Sequence, residues 1–129
     1  MNNNDINLQP LLRARAKFEK FRLRLDDEQQ QAGAIQAFEF TYELAWKAMR
    51  KLLLVRGKEY NSPREVFRAA ALERLIENPE LWFDFLKARN ITVHTYDEAN
   101  ADAVIAVFDD FSKELTKFLK NCGSSDVVS

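Results

Sequence analysis

Apolar residues recur along the first part of the chain at steps of three and four. Leu11, Ala14, Phe18, Phe21 and Leu25 share one stripe and predict a helix over about 8–25. Arg13, Arg15, Lys17, Lys20, Arg22 and Arg24 occupy its other faces. A polar stretch from Asp26 to Gln31 separates it from the next helix, although its Glu and Gln residues suit either neighbour. That second helix, over about 31–56, is the longest. Ala34, Phe38, Thr41, Ala45, Met49, Leu52 and Val55 form one stripe, while Phe40, Tyr42, Leu44 and Trp46 spread around the rest. Apolar residues on several sides imply packing on several sides, by the bundle or by a second subunit. Gly57 is placed to end the helix as a left-handed cap.

The third helix carries the clearest start signal. Ser62-Pro63-Arg64-Glu65 supplies an N-cap, a Pro at the first helical position and a Glu three residues after the cap. Val66, Phe67, Ala70 and Ala71 give it an apolar face ending near Ile76. Asn78-Pro79 repeats the logic for a fourth helix bearing Trp82, Phe83, Phe85 and Leu86. A fifth opens at Asn100, with Asp102 in its first turn, and runs to about 119 on Val104, Phe108, Phe111, Leu115 and Phe118. No period-two alternation competes with these. The expectation is an all-α, antiparallel bundle of about five helices.

Composition agrees. A chain of 129 residues, 47% hydrophobic and with ten Phe, suits a single domain over 1–129. Its ordered core is expected over about 8–120, with a loose tail over 123–129. Three Gly and three Pro are too few for a sandwich or barrel. Cys122 is alone, so no internal disulfide forms, as in a reducing compartment. The start, Met1 to Pro10, is polar rather than a signal peptide, and no apolar run nears the roughly 20 residues that span a bilayer. A cytoplasmic protein without membrane contact is expected. Lys plus Arg number 19 against 20 Asp plus Glu, so any RNA contact must come from a local patch.

Metal and nucleotide chemistry find little support in the residues. One His and one Cys make no zinc cluster, and the residue three before His94 is Ile91 rather than the Glu of a di-iron bundle. Asp26-Asp27-Glu28 and Asp109-Asp110 lack calcium-loop spacing, and no Gly-rich phosphate loop occurs. No metal and no bound cofactor are expected. Arg13, Lys17, Lys20 and Arg24 lie along one side of the first helix, either a solvated face or a phosphate contact. Glu39, Glu43 and Lys47 follow at four-residue steps, and Glu43 with Lys47 has the orientation of a surface ion pair.

There remains Arg89-Asn90-Ile91-Thr92-Val93-His94-Thr95-Tyr96-Asp97. It holds the only His, a side chain that changes charge near neutral pH and so shuttles protons. It also holds an Arg, able to bind a phosphate through two parallel hydrogen bonds, and a Tyr hydroxyl two residues after the His. Five residues of continuous helix would turn Arg89 and His94 about 140° apart. The β-branched run Ile91-Thr92-Val93 weakens helix, and a break there, or two-fold pairing of subunits, would bring them together. Taken alone, the segment also fits a capping or packing His.

Arg89-x4-His94-x-Tyr96 resembles the motif of the HEPN superfamily, in the HepT-like branch that pairs with a minimal nucleotidyltransferase. The stretch from Phe38 to Lys47, FEFTYELAWK, looks like that branch's second-helix signature. Ser62-Pro63-Arg64-Glu65-Val66-Phe67 and the run from Leu81-Trp82 to Tyr96-Asp97-Glu98 are similar to it as well, without a gap from about 8 to 120.

The resemblance implies a helical homodimer with Arg and His of both subunits near the dimer groove. It implies a partner, a small nucleotidyltransferase encoded with it in a toxin–antitoxin-like pair. Carried over, Arg89 would hold a scissile phosphate and His94 would act as general acid or base in a metal-independent ribonuclease. Asn90 would orient phosphate or backbone, and Tyr96 would accept AMP from the partner. Two readings stand, with a bare structural dimer as a third: a substrate-binding subunit that docks the nucleotidyltransferase and presents Tyr96, or a ribonuclease working through Arg89 and His94.

Overall fold

Four of the helix starts are set by side chains that accept a hydrogen bond from the first free N–H groups. Asp27, Ser62, Asn78 and Asp97 cap Gln30, Glu65, Glu80 and Ala99 in turn. The computed structural model describes residues 6–123. The expected tail beyond Gly123, like the first five residues, lies outside them. Six helices result: α1 (Gln9–Phe21), α2 (Glu28–Val55), α3 (Pro63–Leu72), α4 (Pro79–Asn90), α5 (Glu98–Ile105) and α6 (Phe108–Asn121). A short 3-10 turn, Thr92–His94, stands between α4 and α5. No strand occurs among the described residues, and the class is all-α.

The boundaries differ from the periodic reading where capping outweighs apolar spacing. Asp27 starts α2 three residues earlier than Gln31. Asp97, not Asn100, starts α5. The single expected helix over 100–119 is present as two. It breaks at Ala106–Val107, since α5 packs on α2, α4 and the 3-10 turn while α6 lies along α4.

Both long turns after helices use the same device. After α2, Lys58 N–H donates to Leu53 O and Gly57 N–H to Leu54 O, with Gly57 at φ 79°. After α3, Leu75 N–H donates to Ala70 O and Arg74 N–H to Ala71 O, with Arg74 at φ 62°. This turn stops α3 at Leu72, short of Ile76, and sends Leu75 and Ile76 inward as separate core residues.

The predicted stripes meet in one aromatic core. Phe111 packs edge-on against Phe18, Phe38, Trp82 and Phe85, with ring centroids 5.3, 5.0, 5.9 and 5.2 Å away. All five are fully buried. Phe38, Tyr42, Phe67 and Trp82 extend the cluster across α2, α3 and α4. On the far side α1 is tied to α6 by polar contacts. Ser112 donates to Glu19, Arg15 to Thr116, and Arg22 to Asp109. α2 is thus covered on most sides, and the end of α4 is laid across its middle.

Candidate functional site

α4 ends at Asn90, and Ile91 caps it with its N–H on Ala88 O. The β-branched run does not continue the helix. It folds into the 3-10 turn, whose His94 N–H donates to Ile91 O. Asp97 N–H and the Asn100 side chain then both donate to His94 O, which fixes the exit from the turn. Arg89, Asn90, His94 and Tyr96 therefore sit on one short bend rather than around a continuous helix.

Arg89 is half-buried and held from α2. Its Nε–H donates to Glu43 Oε1 at 2.8 Å, and Nη2 lies 3.8 Å from Glu39 Oε1. Neither Nη group makes a hydrogen bond among the described residues. The guanidinium is thus held between two carboxylates, with Nη1 left without a partner among the described residues. Glu43 also accepts from Trp46 Nε1 at 3.1 Å, and Lys47 Nζ stands 3.9 Å away. The expected Glu43–Lys47 pair is present but is the weakest of these contacts. Thr92 Oγ1 lies 3.0 Å from Glu39 Oε2 and 2.8 Å from Arg89 O, so the turn before His94 is anchored to the same carboxylate ladder.

The sequence shows Glu39 and Glu43 as spaced carboxylates of the FEFTYELAWK stretch, with Lys47 as the expected partner of Glu43, and Thr92 as part of the β-branched run, but not their contacts with the Arg89 segment. A signal existed: two carboxylates four residues apart on a core helix repel unless a cation from elsewhere meets them. Tyr42, one step away, points inward, its buried hydroxyl without a hydrogen-bond partner among the described residues. Burial, and then the Glu43 carboxylate, push its pKa up, against the opposing pull of Arg89 and Arg64.

His94 and Asn90 are exposed, and Tyr96 is 88% exposed. The His94 and Tyr96 rings stand edge-on, with centroids 6.1 Å apart. Val93, between Arg89 and His94, is 65% exposed. Tyr96 also lines a groove of about 490 Å³ together with Asp26, Asp27, Glu28 and Glu98. Two subsites thus share the bend: Arg89 with its carboxylates, and His94 with Tyr96. Among the described residues no group of three or more His, Cys, Asp or Glu is placed to hold a metal ion. No described helix is long and apolar enough to cross a membrane.

A Haemophilus influenzae protein named "Probable ribonuclease HepT" is 38% identical over 94 residues, covering 69% of this chain and 64% of that protein. The chain therefore spans just under two thirds of that relative's length. A solved structure from Thermus thermophilus superposes with a TM-score of 0.83 at 29% identity, covering 88% of this chain and 99% of the other. A Haemophilus influenzae structure, described as the fold of a substrate binding domain of a nucleotidyltransferase, superposes at 0.82 with 31% identity. It covers 92% of this chain and 100% of that one. Residues 6–123, the bend included, match the family described as nucleotidyltransferase substrate binding protein like, and the chain belongs to that family.

Proposed function

We propose that this protein is the substrate-binding half of a two-component, toxin–antitoxin-like nucleotidyltransferase system, that it works as a homodimer, and that Tyr96 receives AMP from the partner. One observation carries this reading. Tyr96 is a fully offered phenol standing edge-on to His94, one bend away from Arg89. In the transfer the phenol oxygen attacks the α-phosphorus of ATP, the bond to the β-phosphate breaks, pyrophosphate leaves, and the phenol gives up its proton. The product sets a phosphodiester charge and an adenosine beside His94. Incubation with a small nucleotidyltransferase partner and ATP should add the mass of AMP to the chain. If the Tyr96→Phe variant gains the same mass, Tyr96 is not the acceptor.

The ribonuclease reading has its own support in the Nη groups of Arg89, which make no hydrogen bond among the described residues. A phosphate seated there would meet charge-assisted hydrogen bonds as its negative charge grows. The RNA 2′-oxygen attacks the adjacent phosphorus, and the bond to the 5′-oxygen breaks. A 2′,3′-cyclic phosphate and a 5′-hydroxyl result. His94 takes the proton from the 2′-hydroxyl or supplies one to the leaving 5′-oxygen, with Asn90 beside the phosphate. The chain should cleave RNA in the presence of chelator, and His94→Ala should not. Intact RNA after prolonged incubation at high protein concentration ends this reading and leaves the docking role.

A further inference from the structure

The basic stripe of α1 has no part in the site so far, and its surroundings are not those of an ordinary solvated face. The last turn of α1 and the start of α2 enclose a trough of about 770 Å³, with Phe21 and Leu23 among its walls. A second recess of about 290 Å³ shares Phe21 and Gly33 with it and reaches Phe40. Phe40 is 61% exposed and Leu23 72%. Lys20 and Arg24 line the trough, and Lys17 lies over the Phe21 ring at 5.4 Å. Asp27 lines the trough too, but its carboxylate already caps α2 by accepting from Gln30 N–H.

Charge is sorted around α1. Arg22, turned towards α6, is neutralised by Glu19 and Asp109. Lys20 and Arg24, which line the trough, and Lys17, which lines the second recess, form no ion pair among the described residues. An exposed aromatic face such as that of Phe40, beside cations without an acidic partner, suits single-stranded nucleic acid, because a base stacks on the ring while phosphates meet the cations. A protein core would favour the rings but not three uncompensated charges.

We propose that this trough is a binding site for single-stranded RNA, which leads the strand to Arg89. The proposal deepens the ribonuclease reading by saying where the substrate lies. Phe40 directly follows Glu39, the residue bound to Thr92 and facing Arg89. Successive helical residues are about 100° apart, so the second recess, through Phe40, lies beside Arg89 on one turn of α2, and the trough at Gln29, Gln30 and Gly33 opens about two turns earlier on the same helix. A strand stacked on Phe40 need only cross that helix to place its next phosphate at the guanidinium.

The test measures binding of a fluorescent single-stranded RNA of about 12 nucleotides, a length within the reach of such sites. The full chain carries His94→Ala, so that binding is read without cleavage, and salt is varied. Lys20→Glu with Arg24→Glu should weaken binding more than tenfold and flatten the salt dependence by about one to two units of slope. Phe40→Ala should weaken it about tenfold and leave the slope unchanged. Lys113→Glu, on the far helix, should do little to either. Absence of RNA binding at low salt, or unchanged affinity in all trough variants, overturns the proposal. So does a Phe40→Ala variant that alters the assembly mass but not RNA affinity, which assigns the face to a protein. A chain that binds RNA through the trough and never cuts it removes the ribonuclease reading alone. One that cuts normally with the trough altered removes only this proposal.

Discussion

Arg89 and Glu43 stand 46 residues apart in the chain and are joined by a 2.8 Å hydrogen bond from Nε to Oε1. The bond fixes how the guanidinium is turned, with Nη2 towards Glu39. Both side chains are about 30% exposed, so solvent screens part of the attraction. Glu43→Ala should therefore cost about 1 kcal/mol in urea unfolding. It should also lower RNA cleavage about tenfold, because Arg89 loses its orientation. Glu43→Gln, which keeps an acceptor in place, should recover most of the cleavage. Equal loss in both variants would argue that the charge of Glu43, not its geometry, matters.

The helices were legible because each has an apolar stripe and most have a capping residue that follows a rule. The break at Ala106–Val107 was not, since Val104 and Phe108 keep the helical step straight through it. Only the different partners of α5 and α6 separate them. The site was legible in part. The bend after Asn90 could be expected from Ile91-Thr92-Val93, but the anchoring of Arg89 and Thr92 by Glu39 and Glu43 is a contact between distant segments. Local spacing instead pointed Glu43 at Lys47, the nearest cation in sequence. Periodicity also could not say that Phe40, alone among the aromatics of α2, faces outward.

Arg74 tests the turn that ends α3. It holds a left-handed φ of 62°, which costs a side-chain-bearing residue about 1–2 kcal/mol, and Gly has no such cost. The greater freedom of Gly in the unfolded chain offsets part of the gain. Arg74→Gly should stabilise the protein by about 0.5–1 kcal/mol, read as a higher urea midpoint with an unchanged slope. A loss of stability would mean that the Arg74 side chain contributes something the turn does not reveal.

Phe111 tests the core. Removing its ring leaves Phe18, Phe38, Trp82 and Phe85 around a void that fixed helices cannot close. Phe111→Ala should cost about 3–5 kcal/mol, and Phe111→Leu distinctly less. A cost for Phe111→Ala under about 1 kcal/mol in chemical denaturation would contradict this packing.

Burial pushes the Cys122 thiol up from its ordinary 9.0 to about 12, with Arg56 pulling weakly the other way. Below about pH 9 the thiol is protonated whether the chain is folded or not, and its contribution is constant. Between about 9 and 12 the unfolded thiol ionises while the folded one does not, so proton release favours unfolding. Tyr42, raised by burial, acts in the same direction from its ordinary 10.0 upward. Stability should hold to about pH 9 and then fall by at most about 1.4 kcal/mol per pH unit for each group. Cys122→Ser should alter the alkaline slope. At pH 8 Ellman's reagent should label Cys122 quickly only in denaturant.

Tyr96 separates the two proposed roles of the bend. Its ring touches His94 at the edge and has no hydrogen bond among the described residues, so loss of the hydroxyl removes nothing that Arg89 or His94 relies on. Tyr96→Phe should therefore cleave RNA within about twofold of the unaltered chain, a change of about 0.4 kcal/mol in the barrier. With partner and ATP present, the unaltered chain should lose its cleavage activity as AMP is added, because the new phosphodiester offers Arg89 an anion that competes with RNA. Tyr96→Phe should keep cutting under the same conditions. If it is silenced as fully as the unaltered chain, the partner acts by covering the site. If it is already inactive without the partner, the phenol itself takes part in cleavage, and the division between the two subsites fails.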